Sequence, residues 1–126
     1  MVEHKRILVV DDDANVLLVM RATLENLGSG TKVVAASNGQ EAIEKIKQEP
    51  FDLLISDVRM PGMDGIALVE ATRELGLHTA VIWITAYGCD KLKADRERLD
   101  VFLCLEKPLR IGEIRQAALE ALEATT

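Results

Sequence analysis

Aromatic residues are scarce in this chain. Phe51, Trp83, Tyr87 and Phe102 make up 3% of its 126 residues. No platform on which nucleobases could stack is present. Positive charge is also in deficit, with 15 Lys and Arg against 21 Asp and Glu, a net charge of −6. Such a domain is repelled by phosphate backbones and by anionic membrane surfaces, so direct nucleic-acid binding and membrane association are not expected. Long apolar runs are missing. Ile7–Val10 and Ala80–Ile84 fall far short of the roughly 20 residues a membrane helix needs. The start, Met1-Val2-Glu3-His4-Lys5-Arg6, is charged but leads into only four apolar residues before three aspartates, which is not a signal-peptide pattern. Cysteine is limited to Cys89 and Cys104, with no CxxC pair and no metal-ligand spacing. Reduced thiols in a cytoplasmic protein are the expectation.

No internal repeat, low-complexity tract or Pro/Gly/Ser-rich linker breaks the chain, and its length fits a single domain over residues 1–126. Apolar residues reach 48% and charged residues 29%, a globular mixture that needs neither disulfide nor metal to fold. Short apolar runs alternate with helix-period segments. Ile7–Val10, Val33–Ala36, Phe51–Ser56, Ala80–Ile84 and Val101–Leu105 read as strands. Between them, Val16, Leu17, Met20, Leu24 and Leu27 share one helix face, with Gly28 placed to end the helix. Asn38 can cap a helix carrying Ala42, Ile43 and Ile46, and Asp64 one carrying Leu68, Ala71 and Leu75, with Gly76 after it. Asp90–Leu99 is helix-compatible but thinly apolar. Ile111, Ile114, Ala118 and Leu122 mark a last helix. Five βα units with continuous apolar strands predict a parallel sheet covered on both faces, a doubly wound α/β sandwich.

In such sheets, ligands bind beyond the carboxyl ends of the strands. Strand one ends in Asp11-Asp12-Asp13, strand three in Asp57, strand four in Thr85, and strand five in Glu106-Lys107-Pro108. Packed carboxylates repel one another, and a divalent cation removes that cost. Mg²⁺ takes hard oxygen ligands and commonly one or two carboxylates plus phosphate. Asp11 and Asp12 are the expected pair and Asp57 the third, while Asp13 suits the cap of the first helix. The competing reading makes Asp11, Asp12 and Asp13 all helix caps or solvated loop residues, and Asp57 another metal ligand or a turn-initiating aspartate. An exposed carboxylate beside a metal can attack phosphorus and form an aspartyl phosphate. Thr85 offers a hydroxyl donor to a phosphoryl oxygen, and Lys107 a long-reaching positive charge. Asp11-x-Asp13 after a strand also suits a haloacid-dehalogenase-type phosphatase, but that reading leaves Asp57 and its loop unexplained.

Four pieces together resemble a response-regulator receiver domain of bacterial two-component signalling. They are Ile7-Leu8-Val9-Val10-Asp11-Asp12-Asp13, the stretch Asp52 to Gly65 with Asp57 and Met60-Pro61-Gly62-Met63-Asp64, then Trp83-Ile84-Thr85-Ala86-Tyr87, and Glu106-Lys107-Pro108. They stand in family order across nearly the whole chain. The resemblance implies a flavodoxin-like five-stranded parallel sheet in order 2-1-3-4-5. It implies Asp57 as phosphoacceptor, with Asp11, Asp12, Asp57 and the backbone carbonyl of Arg59 as Mg²⁺ ligands. Thr85 and Lys107 would contact the phosphoryl group, and the Lys107–Pro108 bond would be cis. The phosphodonor would be a sensor histidine kinase or a phosphotransfer protein. The chain would be a switch that modifies itself rather than an enzyme acting on a substrate.

Relatives in that family usually carry an aromatic residue three positions before the lysine. Here that position is Cys104, and Phe102 lies two residues earlier, so Thr85, Phe102 and Cys104 are the candidate switch residues. The helix over Asp90–Leu99, strand five and the last helix would form the surface that a downstream protein or output domain reads, by binding or by phosphorylation-dependent dimerisation.

Overall fold

The computed structural model describes residues 4–125. Met1–Glu3, part of the start whose following apolar run is too short for a signal peptide, and Thr126 lie outside the described residues. The elements run β1 (Arg6–Val10), α1 (Ala14–Leu24), β2 (Lys32–Ala36), α2 (Gly39–Gln48), β3 (Leu53–Asp57) and α3 (Gly65–Glu74). After them come β4 (Ala80–Thr85), a 3₁₀ turn (Cys89–Leu92), α4 (Lys93–Leu99), β5 (Leu103–Glu106) and α5 (Ile111–Ala124). All pairings are parallel, and the sheet order is β2-β1-β3-β4-β5.

The apolar strands supply both faces at once, because successive side chains point to opposite sides. Ile7, Val9, Leu53, Ile55, Ile82 and Ile84 pack with Met20 and Leu24 of α1 and with Ile114, Ala118 and Leu122 of α5. Leu8, Val10, Leu54, Val81 and Trp83 pack on the other side with Ala42, Ile43 and Ile46 of α2, Leu68 and Val69 of α3, and Leu99. Burying such a side chain stabilises the fold by about 1.5–3 kcal/mol, so two filled layers hold the sheet without a cross-link.

The helix starts follow the expected caps. The side chains of Asp13, Asn38 and Asp64 accept from backbone N–H groups at the starts of α1, α2 and α3. Gly76 follows α3 with φ +79° and donates its N–H to Arg73. Five expectations need correction. Helix α1 stops at Leu24 rather than running to Gly28, because the Leu27 N–H bonds Leu24 three residues back and tightens the chain out of the helix. Leu75 is 45% exposed and Ile111 59% exposed. Leu75 is already the C-cap of α3, where the inward face consists of Leu68, Val69 and Thr72, and Ile111 opens the first turn of α5. Strand β5 begins at Leu103, because Asp100 adopts a left-handed conformation and the Val101 N–H turns back to Arg96. Finally, Cys89 and Cys104 are joined by a disulfide. The pairing of Trp83 with Cys104 and the turn after Thr85 bring the two Cα atoms to 5.9 Å, an ordinary bridging distance.

Arg73 is a structural residue that sequence patterning missed. Its guanidinium donates to the carbonyls of Leu77 (3.0 Å), Thr79 (2.8 Å), Leu99 (2.9 Å) and Asp100 (3.3 Å). One α3 side chain thus ties the entry of β4 to the C-terminal end of α4. Burial is the main influence on this guanidinium and lowers its proton affinity, while Asp100 acts in the opposite sense.

Two glycines provide a test of packing around the site. At Gly65 a Cβ would meet the Asp57 carbonyl oxygen at 2.6 Å and the Val58 Cα at 2.9 Å, whereas at Gly112 nothing lies within 4 Å. Gly65→Ala is expected to cost about 2 kcal/mol, because backbone must move. Gly112→Ala should stabilise by about 0.5–1 kcal/mol through helix propensity. Urea denaturation of both variants checks the contrast. Equal effects would mean that α3 does not press on the end of β3 as described.

Candidate functional site

The polar residues named from the strand ends come from adjacent strands. Asp57 closes β3, Asp11 and Asp12 follow β1, and Lys107 follows β5. Each is aimed by local backbone bonds. The Asp11 N–H donates to Ala36 on β2, and the Lys107 N–H to Thr85 on β4. Val58 donates to Ile84, and Gly65 returns a bond to Val58, so the loop after Asp57 is pinned where it leaves the sheet. The indole N–H of buried Trp83 donates to the Gly65 carbonyl at 3.2 Å and braces the same loop from below. The Lys107–Pro108 bond is cis.

The result is a compact charged cluster. Asp11, Asp12 and Asp57 offer carboxylate oxygens that all lie within 4.8 Å of one another. Lys107 Nζ lies 2.8 Å from Asp57 Oδ2 and 3.7 Å from Asp11 Oδ2. Asp57 Oδ1 accepts from the Arg59 N–H at 3.1 Å, and Asp11 Oδ1 from the Asp13 N–H at 2.9 Å. Asp11 Oδ2 is buried and accepts no hydrogen bond; the lysine at 3.7 Å is an ion pair only. Burial pushes the Asp11 carboxyl above its usual 3.8, and the negative charges of Asp57 and Asp12 add to that rise against the opposing pull of the Asp13 N–H and Lys107. For Lys107, burial acts to release the proton, but the hydrogen bond to Asp57 and the charges of Asp11, Asp57 and Asp12 outweigh it and hold the ammonium above its ordinary range. A buried, unpartnered carboxylate oxygen in an all-oxygen acidic cluster is the donor set that a hard divalent cation fits.

Thr85 is buried at the end of β4, beside Glu106 in register. Its Oγ1 accepts from the Tyr87 N–H at 3.1 Å, which uses a lone pair and leaves the hydroxyl proton free to donate. In the sequence Tyr87 stands out only as the end of the Trp83-Ile84-Thr85-Ala86-Tyr87 motif. Its exposed ring carries the Arg59 guanidinium 4.8 Å above its centre, so the loops after β3 and β4 touch over the site. No periodicity signals such a contact, because both residues lie in loops.

The other two candidates lie away from the cluster. Phe102 precedes β5 and donates its N–H to Val81. It therefore lies four residues, about 13 Å along the strand, from the level of Thr85. Cys104 pairs with Trp83 and is bonded to Cys89.

A five-stranded 2-1-3-4-5 sheet with an acidic trio and a lysine at its carboxyl edge is a flavodoxin-like receiver fold. The family model for the response regulator receiver domain matches residues 7–119, and the chain belongs to that family of two-component signalling proteins. It is 36% identical over 120 residues to the transcriptional regulatory protein ZraR of Escherichia coli K12, covering 95% of this chain and 26% of that protein. It is 32% identical over 110 residues to the response regulator receiver protein CpdR of Brucella abortus, covering 87% of this chain and 90% of that one. Among solved structures, a CheY-like receiver domain from Methanospirillum hungatei superposes with a TM-score of 0.87 at 28% identity, covering 96% of this chain and 95% of that one. The chain spans about a quarter of the length of relatives such as ZraR. Among the described residues, no helix is long and apolar enough to cross a membrane. Receiver domains in general are phosphorylation-dependent switches that work with histidine kinases and output domains.

The raised proton affinity of Asp11 predicts a stability effect of definite sign. A carboxyl held above its unfolded value costs stability progressively as the pH rises from the unfolded titration point to the folded one, and above both the full cost of ionised Asp11 remains. Asp11→Asn keeps the Oδ1 acceptor for Asp13 and removes the charge. In chelator at neutral pH it should raise stability by about 1 kcal/mol, and the gain should fade as the pH drops toward 4. Thermal melts of both proteins across that range decide it; a loss of stability at neutral pH would contradict the description of the site.

Proposed function

We propose that the chain is a single receiver unit over residues 1–126 that accepts a phosphoryl group on Asp57 from the phosphohistidine of a sensor histidine kinase or phosphotransfer protein. The observation that carries this reading is the convergence of Asp11, Asp12 and Lys107 on Asp57. Asp11, Asp12, Asp57 and the Arg59 carbonyl would hold Mg²⁺. When bound, the ion supplies positive charge against the oxygens of the incoming group and of the carboxylates.

The chain's own groups do the rest. An Asp57 carboxylate oxygen attacks phosphorus as the bond to the donor imidazole breaks. The backbone N–H of Arg59 holds the other carboxylate oxygen in place. Lys107 shifts from Asp57 to the transferred group and neutralises its charge, and Thr85 donates its free proton to a phosphoryl oxygen. Positioning and charge neutralisation are most of what phosphoryl transfer demands of a protein. The same groups then support slow hydrolysis of the aspartyl phosphate, so the protein acts as a switch and not as an enzyme on a separate substrate. Its output is the surface of α4, β5 and α5, read by a downstream protein or domain or by a second copy. A cytoplasmic location suits this role, and the net charge of −6 argues against direct nucleic-acid contact.

A groove of about 600 Å³ next to the cluster favours a protein donor. It is lined by Val16, Val19, Met20, Lys107, Leu109 and Ile114, and Leu18 and Ile111 add exposed apolar surface nearby. A partner seated there sets its phosphohistidine beside Asp57, and exposed apolar surface of this kind suits a protein contact.

Two outcomes are expected. Acetyl phosphate with Mg²⁺ should add one base-labile phosphoryl group to the wild type and none to Asp57→Asn, read by intact mass; equal labelling of both would end the assignment. Val19→Glu should slow transfer from a phosphohistidine protein about tenfold more than transfer from acetyl phosphate, the scale of a 1.4 kcal/mol interface loss. An equal slowing of both would remove the groove from the donor's path.

A further inference from the structure

We propose that Cys89 and Cys104 form a reversible redox modification site whose state decides whether phosphorylation of Asp57 reaches α4; this rests on Asp57 being the phosphoacceptor. The disulfide is not a structural staple of the core. Both cysteines are half-buried; Cys104 packs against the edge of one apolar layer, but neither cysteine is among the buried residues that form the two layers. Cys89 lines an open crevice of about 550 Å³ together with Lys93, Arg96 and Glu97, so a small thiol or disulfide can approach it from solvent.

Its place in the chain gives the bond its effect. Cys89 lies four residues after Thr85, and Cys104 two residues before Glu106, the register partner of Thr85. The Cys89 N–H also donates to the Glu106 carboxylate at 3.0 Å. The bond therefore ties the chain leaving Thr85 to β5, and it encloses the 3₁₀ turn and all of α4 in one loop. Leu99 is the one buried residue of α4, so packing alone holds this helix weakly. Its far end is fastened separately, by Arg73 to the Leu99 and Asp100 carbonyls and by the Arg98–Glu70 ion pair at 3.0 Å. With the disulfide formed, α4 is held at both ends. With the thiols reduced, the Cys89 N–H bond to Glu106 is the remaining tie between Cys89 and β5, and the near end can follow Thr85.

The chemistry balances with a small-molecule disulfide as oxidant. A thiolate of one cysteine attacks a sulfur of the oxidant and expels one thiol. The second cysteine then displaces the other. Two S–H bonds are lost, one intramolecular S–S bond forms, and the oxidant leaves as two thiols carrying both electrons and both protons. Excess thiol runs the sequence backward.

The test uses the full chain in glutathione buffers, with glutathione disulfide as the oxidant. Alkylation and mass measurement should show two free thiols in excess glutathione and none in excess glutathione disulfide. Acetyl phosphate should label Asp57 in both states. Hydrogen exchange is then followed with and without beryllofluoride, a phosphoryl mimic. In the reduced protein, protection in residues 86–103 should change several-fold. In the oxidised protein, the change should stay near Asp57. Cys89→Ser should respond like the reduced protein in both buffers. Persistent free thiols in excess glutathione disulfide would overturn the proposal, as would the same response of residues 86–103 in both redox states. Absence of Asp57 labelling in either state would bring down the phosphoacceptor reading and this one with it, whereas intact labelling with an unchanged α4 response overturns the redox coupling alone.

Discussion

Charge repulsion at the carboxyl edge of the sheet is the constraint around which this molecule is arranged. Asp11 is almost fully buried, with 1% of its surface exposed, and its outer oxygen has no hydrogen-bond donor. Asp57 is only slightly less buried, and the ammonium of Lys107 is shared between the two carboxylates. Folding alone would not select such a cluster, because each added carboxylate makes the others harder to ionise. The surrounding structure imposes it. Parallel pairing of β1 with β3 sets the aspartates side by side, and Gly65 lets α3 press against the end of β3. The apolar layers beneath supply the stability that this edge gives up. A site kept short of positive charge is one that a hard cation would relieve.

The fold was legible in the sequence because its signals are local or periodic. Five apolar runs, the caps at Asp13, Asn38 and Asp64, and the glycine after α3 each act within a few residues. The alternation that sends Ile7 and Val9 to one face and Leu8 and Val10 to the other is visible as an unbroken apolar run. Boundaries were less legible. Helix α1 ends before Gly28, and β5 starts after Val101, because single backbone hydrogen bonds decide these ends and no side-chain pattern encodes them.

The acidic trio and its lysine could be read as well, since topology requires strand ends to meet. What escaped depends on contacts between segments distant in sequence. Arg73 reads as an ordinary surface arginine in the last turn of α3, yet four carbonyls from beyond that helix converge on it. Arg59 and Tyr87 meet only because their loops flank the same crevice. Cys89 and Cys104 lack any motif spacing, and the β4–β5 register brings them together. Phe102 pairs at the level of Val81, four residues short of Thr85, a distance that only the β4–β5 register reveals.

The Arg73 clamp has a mechanical consequence. It grips the carbonyls at one end of α4, and through Leu77 and Thr79 it is anchored to the entry of β4, at the far side of the sheet from the acidic edge. If the Cys89–Cys104 bond that holds the other end of α4 were reduced, the helix would be a short rod gripped firmly at one end only, which cannot slide and can only swing. Arg73 is the fulcrum of that swing, and the arm is the seven residues of α4 with the turn before it. In that reduced state displacement would grow along the arm away from Arg73 and be greatest beside Cys89, next to the loop that leaves the site. Small adjustments there become changes of tilt, so the quantity a partner on this surface would sense is an angle.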